Sequence, residues 1–115
     1  MDQLTTILLT KALDGLALRS AAISQNVANA NSPGYEPVRV SFESELAAAA
    51  GNGADAVRDV QPKIIHQSQE GAAQGVRLDL ELADASKTAL RYNALVDILN
   101  RQMQLARLSI QGGRR

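Results

Sequence analysis

The sequence predicts an all-α fold in which two long terminal helices pair as an antiparallel coiled coil, joined by an irregular, partly disordered middle segment. Apolar residues near both ends of the 115-residue chain recur at alternating steps of three and four, the a/d spacing of a coiled-coil seam. No comparable stripe lies between residues 31 and 77. We therefore divide the chain into an N-terminal helix (1–31), a turn, extended strap and flexible linker (32–78), and a C-terminal helix (79–115).

The predicted seam is one apolar stripe on each terminal helix. It consists of Leu9, Leu13, Leu16, Ile23 and Val27 on the first helix and Leu82, Tyr92, Val96, Leu99, Met103 and Ile110 on the last. We expect Tyr92 to pack on the seam with its hydroxyl at the edge. Further apolar residues flank both stripes, so one partner helix does not cover every apolar residue. They are Leu4, Leu8 and Leu18 on the first helix and Leu90, Leu95, Ile98, Leu105 and Leu108 on the last. We expect ordered packing to need assembly through heterologous contacts, which form rings or filaments.

The first helix is expected to begin within residues 2–5, where Asp2 is a candidate N-cap, and to run to about Ala30. Pro33 disfavours helical geometry at the residue before it, and Gly34 accepts the positive φ of a turn. Two asparagines, Asn26 and Asn29, lie one turn apart near this end. They are either polar residues of a helix end or they bond to loop carbonyls and fix how the chain leaves the helix.

The middle segment has short local patterns only. Val38, Val40 and Phe42 alternate with polar residues, which predicts a short half-buried strand or extended strap. Residues 43–50 are predicted to form two helical turns that end at Gly51. The polar stretch from Gly51 to Gly75 is typical of a flexible linker.

The start of the last helix is ambiguous. Apolar residues at every second position of 76–82 suit a strand, whereas Leu78 and Leu82 also fit the helical seam. We favour extended chain to Leu78 with Asp79 as N-cap. The helix then runs from about Leu80 to Ile110, and two glycines at 112 and 113 end it.

Composition argues against several classes of function. The formal net charge is zero, so no basic excess favours nucleic acid as a partner. Cysteine is absent, which excludes a disulfide framework and a thiolate metal site. The carboxylates are scattered, and the single histidine, His66, has no ligand set nearby in the sequence. We predict no catalytic, cofactor, metal or small-molecule site, and therefore no enzyme.

The N-terminus lacks the features of a secretory signal. No basic residue precedes the apolar residues at 7–9, and no apolar run approaches the roughly 18 residues needed to span a bilayer. If the protein leaves the cytoplasm, we expect it to do so by another route.

Residues 26–35 read N-V-A-N-A-N-S-P-G-Y and carry a family resemblance. They resemble the N-terminal signature of bacterial flagellar basal-body rod and hook proteins, N-I-A-N-A-N-T-P-G-Y. The matching signature positions are Asn26, Asn29, Asn31, Pro33, Gly34 and Tyr35. Residues 90–102 resemble the C-terminal helix of proximal rod members of the same family. The two matches together cover about 4–46 and 76–111.

The resemblance implies a structural subunit whose terminal helices pack inside the rod, a helical tube that transmits torque from the membrane ring to the hook. The implied location is the flagellar basal body, crossing the periplasm. The implied partners are other copies of the chain, other rod proteins, the export gate and the membrane-ring junction. Export of such proteins proceeds through a type III apparatus, unfolded and without a cleaved signal peptide. Early substrates carry a Phe-x-x-x-hydrophobic motif after the first helix, which Phe42 and Leu46 match.

Two other classes of protein fit the helices alone. A small coiled-coil adaptor or export chaperone would remain in the cytoplasm as a defined oligomer. A surface-binding amphipathic helix protein would bind lipid, although the leucine faces here lack the Lys and Arg edge that anionic lipid favours. Neither class needs the turn signature at 26–35.

Overall fold

The computed structural model describes residues 2–67 and 76–112 of the chain. It is mostly helical, and the two long terminal helices pack against each other in antiparallel directions, which confirms the predicted fold class. A small strand pair adds to the irregular middle. The elements in chain order are α1 (Gln3–Ala28), β1 (Val38–Ser41), α2 (Glu43–Ala50), α3 (Ala54–Arg58), β2 (Lys63–His66) and α4 (Leu78–Gly112). Within these residues, no helix combines the length and apolarity needed to cross a membrane.

Helix α1 begins and ends with side-chain caps. Asp2 Oδ1 accepts a hydrogen bond from the Thr5 backbone N–H at 2.7 Å, so the predicted N-cap is confirmed. Hydrogen bonding from the Thr5 side chain, and then from this backbone N–H, holds the pKa of the Asp2 carboxyl below its usual value. Helix α1 stops two residues earlier than expected, at Ala28. Gly34 follows with φ of 74°, a conformation that costs little only in glycine.

The stretch from residue 52 to 67 forms α3 and β2, where the sequence suggested a flexible linker. Val57 of α3 is completely buried, and β2 pairs antiparallel with β1 so that Val38 lies opposite His66. This segment contributes few apolar residues, so no periodic pattern marks it. Its order comes from contacts with α1 and β1 that are distant in sequence. The remainder of the predicted linker, residues 68–75, lies outside the described part of the chain.

The hydrophobic core lies where α1 crosses β1, α2 and α3. Its buried members are Leu16, Ala22, Val38, Val40, Phe42, Leu46 and Val57. Phe42 packs directly on the backbone of Gly15, where an added Cβ would lie 2.5 Å from Phe42 Cδ1. The Arg19 guanidinium, one turn further along α1, lies over the ring at 4.9 Å from its centroid. Gly15 is therefore required by the close approach of helix and strand.

Helix α4 starts at Leu78, two residues before the expected position, so Asp79 lies in its first turn and is not the N-cap. The acidic side chains of Asp79 and Glu81 in this turn are favoured by the positive end of the helix dipole. The alternating pattern at 76–82 was thus a misleading strand signal, because Leu78, Leu80 and Leu82 all lie on solvent-exposed sides of the helix.

Replacing Gly15 by alanine tests the close contact with Phe42. We expect G15A to lower the free energy of unfolding by about 1–3 kcal/mol, because the added methyl group overpacks the core. Urea unfolding followed by circular dichroism measures the change. G51A is the matched control, since its Cβ would meet only Ala48 O at 3.7 Å. An equal loss in both variants would contradict the packing account.

Candidate assembly site

The side-chain amide of Asn26 is fully buried and uses its whole hydrogen-bonding capacity. Its Oδ1 accepts from the Val38 backbone N–H and the Tyr35 hydroxyl, both at 2.8 Å. Its Nδ2 donates to Val38 O at 2.9 Å and to Glu81 Oε2 at 3.2 Å. One side chain of α1 therefore joins the turn, the first strand and the last helix.

Asn26 takes the place of a neighbouring strand on the open side of β1. Strand β2 occupies the other side, where Gln67 N donates to Pro37 O at 2.9 Å. One heptad earlier on α1, Arg19 Nη2 donates to Val40 O at 2.8 Å. Since buried backbone groups need partners, these two side chains let β1 lie against a helix instead of a third strand.

Glu81 of α4 is also fully buried, and it carries a charge into the contact between the terminal helices. Besides the bond from Asn26, its Oε1 lies 2.7 Å from Arg39 Nη2, although the geometry is that of an ion pair and not of an aligned hydrogen bond. A buried carboxylate is stable only with such partners. This pairing therefore fixes which side of α4 faces α1.

Tyr35 completes the cluster, which we call the Asn26 cluster: Asn26, Tyr35, Val38, Arg39 and Glu81. Burial raises the pKa of the Tyr35 hydroxyl above 10.0, the Glu81 carboxylate raises this pKa further, and Arg39 opposes both effects. The hydroxyl therefore keeps its proton at neutral pH and remains a donor to Asn26.

The other signature residues act locally. Asn29 Nδ2 donates to Gln25 O at 2.9 Å, and Asn29 Oδ1 accepts from Ser32 Oγ at 3.3 Å. Asn31, Pro33 and Gly34 are exposed in the turn. The two asparagines thus divide the roles that the sequence left open: Asn26 fixes the path to the strand, and Asn29 is a polar residue of the helix end.

The predicted seam residues are placed unevenly within a single chain. Leu16 and Ile23 are buried, and Leu9, Leu13, Val96 and Leu99 are half-buried. Val27, Leu82, Tyr92, Met103 and Ile110 are exposed. Tyr92 borders a cleft of about 330 Å³ between α1 and α4 that Leu16 and Ser20 also line. The expectation that Tyr92 packs in the core is therefore not met in the isolated chain.

The residues of α4 that face α1 lie one position before those of the predicted seam, so the contact side of the helix is rotated from the predicted one. Its buried members are Glu81 and Thr88, and Leu95 and Gln102 continue it one heptad apart as half-buried residues. Three of these four residues are polar, so a search for apolar periodicity passes over them. Sequence reasoning missed Glu81, Gly15 and Arg19 for the same reason.

Helix α4 is longer than the helix it packs on. It has 35 residues, about 52 Å, against 26 residues, about 39 Å, for α1. Glu81 lies beside Asn26, and Thr88 and Tyr92 border the same cleft as Leu16 and Ser20. At this register α1 begins beside roughly residue 104, which leaves the last two turns of α4 beyond it. Residues 103–112 are all exposed.

The predicted export motif is buried. Phe42 and Leu46 are 3% and 8% exposed and lie in the core. The next residue, Glu43, is held at the surface by Arg19, from which its two carboxylate oxygens accept hydrogen bonds at 2.6 Å each. These hydrogen bonds hold the pKa of Glu43 below its usual value. The folded chain therefore conceals both motif side chains.

The fold and the cluster define a class of protein, a small helical protein whose terminal helices meet at a buried polar contact and whose last helix extends past the first. No protein-family model matches the chain, and no curated protein is significantly similar to it. Across residues 2–67 and 76–112, no three His, Cys, Asp or Glu side chains are grouped to hold a metal ion. The flagellar resemblance thus stands on residues 26–35 and 90–102.

Replacing Asn26 by alanine tests the central contact. We expect N26A to lower the free energy of unfolding by about 3 kcal/mol, because Val38 and the Glu81 carboxylate lose buried partners. N29A is the matched control and should cost less than about 1 kcal/mol, since its bonds are local and exposed. Urea unfolding measures both, and equal losses would contradict the distinction between the two asparagines.

Proposed function

We propose that the chain is a structural subunit of the bacterial flagellar basal-body rod, which polymerises through its terminal helices to form the proximal part of the drive shaft. The observation that carries the proposal is the part of α4 that extends beyond α1. There Met103 and Ile110, two residues of the predicted seam that each follow one position after the heptad facing α1, are 51% and 60% exposed. An apolar helix side with no cover in its own chain favours a partner that supplies one.

The partner on this face is a terminal helix of a neighbouring subunit. The exposed end of α4 differs from the surface it would contact, so the contact is heterologous and repeats from one subunit to the next. The neighbours are other copies of the chain and other rod proteins, and the ends of the polymer meet the membrane-ring junction and the export gate. A rod crossing the periplasm is the corresponding location.

The Asn26 cluster supports a mechanical role. A shaft that transmits torque needs subunits whose two helices keep a fixed relative angle. The cluster ties α1, the turn, β1 and α4 together through four hydrogen bonds to one amide and an ion pair. Because each buried group depends on the others, slippage of either helix would leave polar groups unpaired.

The buried motif fits transport of an unfolded chain. Phe42 and Leu46 become available to an export gate only when the core is open. Recognition would therefore precede folding, and folding after transport would remove the motif from solvent. This order agrees with export that needs no cleaved signal peptide.

Placing a charge on the extended end of α4 tests assembly. We expect a tagged wild-type chain to co-purify with isolated basal bodies only when the export apparatus is active. I110D should be exported yet absent from basal bodies, and cells should lose motility, because the aspartate must be desolvated at the contact. Q104D, on another side of the same exposed end, should remain motile.

A chain that stays soluble in the cytoplasm whether or not export is active would contradict the rod proposal and favour the adaptor. Normal motility of I110D would contradict the assigned face alone.

Separating the export motif from the fold gives a second test. F42A removes both the motif and core packing, whereas G15V disturbs the same contact and leaves the motif intact. We expect F42A to lower the exported fraction of the tagged chain and G15V not to lower it, as measured by immunoblot of cell and exported fractions. Wild-type export of F42A would exclude a role for Phe42 in recognition.

A further inference from the structure

A second stripe runs along α4 on a side turned roughly a third of a turn from the one that faces α1. Its large apolar members are between 44% and 71% exposed: Leu80, Leu90, Ile98, Leu105 and Leu108. At 100° per residue they fall within an arc of about 80°, and the first and last of them are 28 positions apart, or about 42 Å. We call this set, together with Ala83, Lys87, Ala94 and Arg101 between its members, the outer stripe.

The outer stripe has the same spacing from either end, with Ala94 at its centre. Leu90 and Ile98 lie four residues to either side of Ala94. Leu80 and Leu108 lie fourteen residues to either side. The mean step between neighbouring members of the outer stripe is about 3.5 residues, which is the period of a coiled-coil seam.

We propose that the outer stripe binds the outer stripe of a second copy of this chain, in antiparallel directions about a two-fold axis that passes through Ala94. A two-fold contact requires a surface that is complementary to itself. In this arrangement Leu80 of one copy shares a layer with Leu108 of the other, and Leu90 shares a layer with Ile98. Ala94 meets its own equivalent, where two small side chains allow the helices to approach closely.

The area available agrees with a stable pair. Five large apolar side chains at about 100 Å² each offer roughly 500 Å² per copy. Ala83, Ala94 and the aliphatic stems of Lys87 and Arg101 add to this, and the total approaches the roughly 800 Å² per partner of a standard interface. A different protein could cover the stripe as well, but its binding would not require the symmetric spacing.

One layer of the pair is electrostatically unfavourable. Lys87 lies seven residues before Ala94 and Arg101 seven residues after it, so Lys87 of one copy shares a layer with Arg101 of the other. Asp97 Oδ2 lies 3.1 Å from Arg101 Nη2 on the same helix, and this ion pair offsets part of the repulsion. A change of sign at residue 87 should therefore strengthen the pair, which makes the register testable.

This inference is independent of the flagellar proposal, because it concerns a different side of α4 and a closed pair instead of a polymer. The heterologous contact through Ile110 can fail while the two-fold pair stands, and the reverse also holds.

Sedimentation velocity on the full chain tests the pairing. We expect a reversible dimer at micromolar concentration, a several-fold lower dissociation constant for K87E, and a monomer for A94E, where two carboxylates would meet at the axis. Ala94 and Lys87 are exposed, so neither variant disturbs the core. A wild-type chain and a K87E variant that both stay monomeric at about 100 µM would overturn the proposal.

Cross-linking locates the axis, because the chain has no native cysteine. Under mild oxidation A94C should form a disulfide-linked dimer, since the two Cα atoms at the axis fall within the about 7 Å that a disulfide needs. S86C, exposed on α4 but off the outer stripe, should not cross-link. Equal cross-linking of both variants, or a dimer that A94E leaves intact, would show that another surface or another protein binds and would overturn the two-fold pairing.

Discussion

The buried amide of Asn26 is the contact on which the arrangement of the chain depends. Strand β1 has one side paired with β2 and the other facing α1, and a helix backbone offers no free donors and acceptors to a strand. Asn26 supplies both to Val38, and Arg19 supplies a donor to Val40 one heptad away. Without these side chains the strand could not be buried against α1, because its backbone groups would be left unpaired.

The same amide reaches across to Glu81 and so determines the placement of α4. The core itself is built by residues between Leu16 and Val57, and α4 adds only Leu95 at its edge. Apolar packing therefore leaves the rotation of α4 weakly specified, while the buried carboxylate admits only the side that meets Asn26 and Arg39. Such a buried pair adds little net stability, because the desolvation of its charges offsets their attraction.

The sequence was sufficient for the features that repeat or lie close along the chain. Heptad spacing predicted both long helices, Asp2 marked the N-cap, and alternation predicted β1. It was insufficient where order comes from distant contacts: α3 is held by the burial of Val57, and β2 by pairing with β1. It also misplaced the contact side of α4, because Glu81 and Thr88 occupy positions where an apolar search expects leucine or valine.

The division between a core in residues 2–67 and a long α4 separates folding from association. Substitutions on the exposed sides of α4 do not reach the core, since only Leu95 of that helix packs against it. The free energy that keeps the chain folded and the free energy that binds a neighbour therefore come from different residues.

Under the proposed function, this separation has a consequence for the order of export and assembly. The unfolded chain exposes Phe42 and Leu46, whereas the folded chain buries them and presents the apolar sides of α4 in a direction fixed by Asn26. Folding would then convert a substrate for transport into a subunit for assembly, and no further change in the chain is needed between the two.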